Sequence, residues 1–230
     1  MFITVCHLHL HDFLFYASRE MGRLYETEKY LHNYGLTYAL GLAKAPYANL
    51  AQVPHYADDL EGVNGQGIYV TPASPLHYSY AFHTFKLANV AYYNFTPQIS
   101  SNRVVFGRAK ELAPESSFVF FVLSGQEVGL PAWIRLGKWM AKARVQIIQQ
   151  GRAQEKRGTF QASGALNPLD LALLPDTCNI VPMAPASLIT NVYCTGSYYE
   201  ISLDERRRGS EIRLPAEMRY RPTGNRQLSA

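Results

Sequence analysis

The chain has 230 residues, 47% apolar and 17% charged, with 22 Lys and Arg against 18 Asp and Glu for a net charge of +4. That length suits one large domain and that balance a packed globule, which excludes disordered, collagen-like and coiled-coil chains. No apolar run reaches the roughly 18 to 20 residues of a membrane-crossing helix, and the opening Met1-Phe2-Ile3-Thr4-Val5-Cys6-His7 carries no basic leader, so a cytoplasmic protein is expected.

Residues 2 to 10 alternate with a period of two, which predicts a first strand. The strand runs into His7-Leu8-His9-Leu10-His11, three imidazoles on one face. A polar strand face, a set of metal ligands and imidazoles beside bound nucleic acid all remain open. Barrel hydrolases that open with such a pair need repeated βα units, which are missing here, so neither a metal nor a cofactor is expected. Leu24, Leu31, Tyr34, Tyr38 and Leu42 recur at intervals of three, four or seven, predicting an amphipathic helix with Thr27 as N-cap that ends before Pro46. Residues 45 to 106, rich in Pro, Gly, Asn and Tyr, predict loops and small hairpins with short strands at 67–71 and 77–85. Phe118 to Leu123 shows no alternation and predicts a strand buried on both faces.

Arg135 to Gly151 fits either element, and the preferred reading is a short helix to about Met140 and then a hairpin whose tip, Gly151 to Arg157, is basic. Asn167-Pro168-Leu169-Asp170 is turn chemistry, with Asp170 placed to cap the next segment. Val192 to Leu203 predicts a strand pair turning at Thr195-Gly196-Ser197. Arg206-Arg207-Arg208 forms a second basic knot, and a polar tail is expected from about residue 215 to 230. No repeat or low-complexity linker divides the chain, so a single α+β domain over residues 1 to 230 is expected.

Cys6, Cys178 and Cys194 are too few and too scattered for a disulfide framework or zinc finger. Charge is uneven: residues 1 to 130 hold 8 Lys/Arg and 10 Asp/Glu, residues 131 to 230 hold 14 and 8. Arg135, Lys138, Lys142, Arg144, Arg152, Lys156 and Arg157 face a single acid, Glu155. Such a stretch attracts phosphate when it is more than a solvated surface. Among 16 Tyr, 11 Phe and 2 Trp, the residues Trp133 and Trp139 flank Arg135 and Lys138, which suits base stacking beside phosphate contact. His32, Asn33 and Tyr34 are a second candidate, with a structural or RNA-contacting role.

The block Glu26 to Gly41, with Ile68 to Ala73, Pro131 to Arg144 and Leu166 to Leu171, resembles the Cas-five-type small subunit of the type I-D CRISPR Cascade complex. The resemblance implies a ferredoxin-like, RRM-related fold of the RAMP superfamily with an inserted basic β-hairpin arm. It also implies a non-catalytic role in antiviral defence: holding the five-prime handle of the CRISPR RNA, abutting the large and backbone subunits, and helping to position target DNA near its protospacer-adjacent motif. Arg135, Lys138, Trp139, Lys142 and Arg144 would then contact RNA, with Arg152, Lys156 and Arg157 on a mobile arm. The rival is a metal-independent endoribonuclease that processes repeat RNA, as relatives in another subtype do.

Overall fold

The computed structural model describes residues 1–45, 54–87, 105–202 and 211–222. In chain order the elements are β1 (Phe2–Leu10), β2 (Arg19–Met21), β3 (Leu24–Glu26), α1 (Asn33–Ala39), α2 (Tyr56–Gly65), β4 (Tyr69–Val70), β5 (Ser74–His77) and β6 (Tyr80–Leu87). Next come β7 (Val105–Leu112), β8 (Ser117–Ser124), β9 (Trp133–Leu136), β10 (Ala141–Arg152), β11 (Gln154–Gln161), β12 (Thr177–Val181), β13 (Leu188–Ser202) and β14 (Glu211–Pro215). The architecture is α+β and dominated by strands, with two helices among the described residues. None of the described helices is long and apolar enough to cross a membrane.

The largest sheet runs β4-β8-β1-β10-β9, with β5 also paired to β8. β1 lies at its centre, antiparallel to both β8 and β10. β4 is antiparallel to β8 and therefore parallel to β1, so β1, the helical segment and β4 form a crossover split by β8. Alternation decides what each face of this sheet buries. Cys6, Leu8, Leu10, Phe118, Phe120, Val122, Ala143 and Val145 point to one side and pack with Leu36 of α1 and its C-cap Leu40. On the other side Ile3, Val5, Phe121 and Leu123 meet a second sheet, β11-β13-β12 with β14, through Phe160, Val192, Cys194 and Leu214. Leu60 and Val63 of α2 close this second core. A third sheet, β2-β3-β7-β6, extends from the first and contains the parallel pair β3–β7.

Several expectations change. The first helix begins at Asn33, not near Thr27: Thr27 is buried, its hydroxyl donating to the Tyr16 carbonyl, and the N-cap is His32. The helix α2 replaces expected loops; only Leu60 and Val63 are buried along Tyr-Ala-Asp-Asp-Leu-Glu-Gly-Val-Asn-Gly, too thin an apolar stripe to announce itself. Trp133 to Leu136 is a strand rather than a helix, because Ile134 and Leu136 are buried while Trp133 and Arg135 are exposed, a period of two. Residues 151 to 157 close no hairpin: β10 pairs with β1 and β9 whereas β11, one residue later, pairs with β13 in another sheet. A long antiparallel pair, β6 with β7, lies instead in the third sheet. Val192 to Leu203 is no strand pair either, since β13 runs unbroken through Thr195-Gly196-Ser197.

Nor does a polar tail start at 215. Ala216, Met218 and Tyr220 are buried, and the Tyr220 hydroxyl bonds Thr37 at 2.7 Å and accepts from the Val70 amide at 2.9 Å. Residues 223–230 and the Arg206-Arg207-Arg208 knot lie outside the described residues. Cys6 and Cys194 are buried and Cys178 is exposed.

Candidate nucleic-acid interface

The second sheet covers only one end of the face of β1 that carries Ile3 and Val5. Toward the other end the same face presents His7 and His9, which are only partly buried. Antiparallel register then fixes their neighbours, since directly opposed residues share a face. Ser117, His9, Arg144 and Trp133 form one row across β8, β1, β10 and β9. Lys142 lies opposite Arg135 in the next row, and Gln146 lies opposite His7 in the row before. Arg135, Lys142, Arg144 and Gln146 are exposed, and Trp133 is 46% exposed. Lys142 places Nζ 4.2 Å from the centre of the Trp133 ring, and His11 meets that ring edge-on at 4.9 Å. Arg135 Nη1 donates to the Met140 carbonyl at 3.1 Å, which leaves its other donors free to reach solvent.

The result is an open patch with three permanent cations, one broad aromatic face and three imidazoles. Burial and the neighbouring His9 charge hold the His7 pKa below its usual value. Such a patch can bond phosphate oxygens and stack a splayed base, the two contacts that single-stranded RNA offers. Among the described residues no group of three His, Cys, Asp or Glu side chains is arranged to hold a metal ion.

The turn Gly137 to Met140 carries Lys138 and Trp139, both exposed, at the end of this face. Gly137 has φ 71°, and a Cβ there would stand 2.6 Å from the Phe15 carbonyl oxygen. Only glycine lets this turn lie against residues 14 and 15, where the Lys138 amide donates to the Phe15 carbonyl at 2.9 Å and Trp139 stacks on the Phe15 ring at 4.5 Å.

The remaining basic candidates do not join the patch. Arg152 sits eight residues from Arg144 along β10, about 27 Å at the usual strand rise, and opposes Phe2, over whose ring its guanidinium lies at 5.3 Å. Lys156 is engaged by Glu200, which Arg213 also binds at 2.8 Å. Arg157 is exposed on β11, in the second sheet. These three belong to regular strands, not to a mobile arm.

His32, Asn33 and Tyr34 turn inward. Asp170 is fully buried, and its carboxylate accepts from Asn33 Nδ2 at 2.8 Å, the Tyr69 hydroxyl at 3.0 Å, the Tyr34 hydroxyl at 3.3 Å and the Arg221 amide at 2.9 Å. Asn167 Nδ2 donates to Asn33 Oδ1 at 3.3 Å, and Asn167, not Asp170, caps the short 3-10 turn 168–170. This cluster ties α1, β4, the 168–170 turn and the last described residues together. Burial raises the Asp170 pKa against the pull of its four donors. His32 Nδ1 accepts from the Tyr34 amide at 3.2 Å, and burial pushes its pKa down to about 4. In the structure Asn33 and Tyr34 take part in this buried network, and His32 caps α1.

Sequence reasoning left a place beside nucleic acid as one of three readings for His7, His9 and His11; their spacing marked a face but not what opposed it. It also missed Phe15, Tyr25 and Phe85, which reach the Trp139 turn from distant segments and carry no local signal.

Over residues 1–223 the chain matches the model of the family described as Type I-D CRISPR-associated protein Cas5/Csc1. Among solved structures it is similar to a chain from the cryo-EM structure of the Type III-B Cmr-beta bound to cognate target RNA and AMPPnP. That likeness has a TM-score of 0.46 and 8% identity, covering 84% of this chain and 86% of the other. No curated protein matches it.

Proposed function

Because the chain belongs to the Type I-D CRISPR-associated Cas5/Csc1 family, we propose that its open sheet face holds the five-prime handle of the CRISPR RNA within a type I-D Cascade surveillance complex. The observation that carries this reading is the row Ser117, His9, Arg144 and Trp133 with Lys142 and Arg135 beside it: cations and an aromatic ring on the uncovered half of one sheet. The cations neutralise phosphates and Trp133 takes a base, while sequence choice comes from guide pairing. At one end of a cytoplasmic ribonucleoprotein the subunit abuts the large and backbone subunits and helps position target DNA near its protospacer-adjacent motif.

A ferredoxin-like, RRM-related core of the RAMP type suits this role. Its supports are the antiparallel order β4-β8-β1-β10 and the split crossover from β1 through the helices to β4. Between β8 and β10, where such a unit has its second helix, this chain has the edge strand β9.

The subunit is proposed to be non-catalytic, binding the RNA without cutting it. Incubation with repeat RNA in EDTA leaves the RNA intact on this reading, whereas one specific cut abolished in a 2′-deoxy substrate would establish a nuclease. The binding itself is tested by salt titration with labelled five-prime handle RNA against a scrambled RNA of equal length. A handle preference that disappears in the Arg135→Ala, Lys142→Ala, Arg144→Ala variant supports the reading. Equal affinity of parent and variant removes this face from the interface.

A further inference from the structure

Beside the open face, the Gly137–Met140 turn, the segment after β1 and the third sheet enclose a hollow of about 410 Å3, within the range of about 300–1,000 Å3 typical of small-ligand clefts. Two aromatic pairs line it. Phe15 and Trp139 stack at 4.5 Å with their planes 19° apart, and Tyr25 and Phe85 lie 6.0 Å apart at 33°. Trp139 remains 54% exposed. Lys138 and Glu20 supply the charged part of the wall.

We infer that this hollow takes one extruded nucleobase of the single-stranded RNA bound on the neighbouring face, and that Glu20 makes guanine the preferred base. The inference rests on the RNA-binding reading above and deepens it. Three observations carry it. Four rings from separate segments surround a space rather than filling a core, and a flat π system gains from stacking on any of them. The hollow adjoins the cationic face, because Arg135 bonds the Met140 carbonyl, one residue beyond Trp139. Its two charges are of opposite sign, which suits a nucleotide: Lys138 faces a phosphate, and a carboxylate faces the N–H edge of a base. Guanine offers a carboxylate two adjacent donors, N1–H and the exocyclic amine, whereas uracil flanks its single N–H with two carbonyl oxygens. An apolar side chain from a partner protein would instead desolvate Lys138 and Glu20 without pairing them, at a cost.

The test uses the full chain carrying Trp133→Phe, so that Trp139 is the remaining one of the two tryptophans. Three RNA hexanucleotides are titrated: all uridine, one guanosine among uridines, and the same strand abasic at that position. Quenching of Trp139 with roughly tenfold tighter binding of the guanosine strand is expected, a ratio set by one stacked base and one bidentate pair. Glu20→Gln should abolish the ratio between the guanosine and uridine strands, which any general rise in RNA affinity from the lost negative charge leaves untouched. Equal affinity for all three strands, or a guanosine preference that survives Glu20→Gln, would overturn the pocket. If the three strands bind equally but lose affinity in the Arg135, Lys142 and Arg144 alanine variant, the pocket fails while the sheet-face reading stands. If no strand binds at all, both fail.

Discussion

The uncovered sheet face and the Asp170 cluster are built from the same kinds of groups, imidazoles, aromatic rings and formal charges, and they use them in opposite ways. In the cluster four donors converge on one fully buried carboxylate, so its accepting capacity is consumed internally. On the sheet face Arg135, Lys142 and Arg144 lean on a carbonyl, a ring or solvent and form no side-chain ion pair among the described residues, the Asp12 carboxylate accepting from the Lys142 backbone amide instead. Polar residues alone therefore do not mark a binding surface; what marks it here is unspent hydrogen-bonding and charge capacity held on a rigid frame.

The sharpest way to break this contrast is Asp170→Ala. It strands the Asn33 amide and the Tyr34 and Tyr69 hydroxyls in a dry interior, and about 3–5 kcal/mol of stability should be lost in urea unfolding. A loss below about 1 kcal/mol would mean that the cluster is not what joins α1 to the later chain. Next comes the pH dependence set by His32. Its folded pKa of about 4 lies below the ordinary value of 6.5, so the fold binds the neutral ring. The associated stability is present in full above about pH 6.5 and is lost as pH falls toward 4, by up to about 3 kcal/mol. Asp170 acts in the opposite sense, since its raised pKa favours the protonated fold as pH falls. His32→Asn keeps a capping side chain that cannot titrate, and it should flatten the acid limb of a stability–pH curve.

On the open face the same logic predicts effects on binding rather than on folding. Lys142→Ala and Arg144→Ala should each reduce the slope of log affinity against log salt for RNA by roughly 0.7, while thermal unfolding moves little. The smallest effect belongs to Lys156→Ala: its charge is already matched by Glu200, so the RNA salt slope should not change. A slope reduced as much as for Lys142 would place the second sheet in the interface as well.

Legibility in the sequence depended on how local each cause is. β1 and β8 were legible, because a period-two pattern and an unbroken β-rich apolar run are properties of consecutive residues. The basic cluster of Arg135, Lys142 and Arg144 was legible too, although its members share a face only because β9 and β10 pair in register. β9 itself was misread as helix: four residues are too few for periodicity, and the three-and-four spacing of Arg135, Lys138 and Lys142 imitated a helical face. Lys156 could not be separated from the others, since its partner Glu200 lies 44 residues away and only the β11–β13 pairing brings them together. Asn33 and Asp170 were each noticed, but their contact spans 137 positions and no spacing rule connects them.

The central position of β1 has a consequence for biosynthesis. This strand, largely apolar, is synthesised well before its partners, residues 117–124 and 141–152. At about 5–20 residues per second, roughly 5–30 s pass before both flanks exist. Until then two unpaired strand edges are available to any neighbouring chain, so yield in the cell is governed by protection of nascent β1 as much as by the stability of the finished sheet.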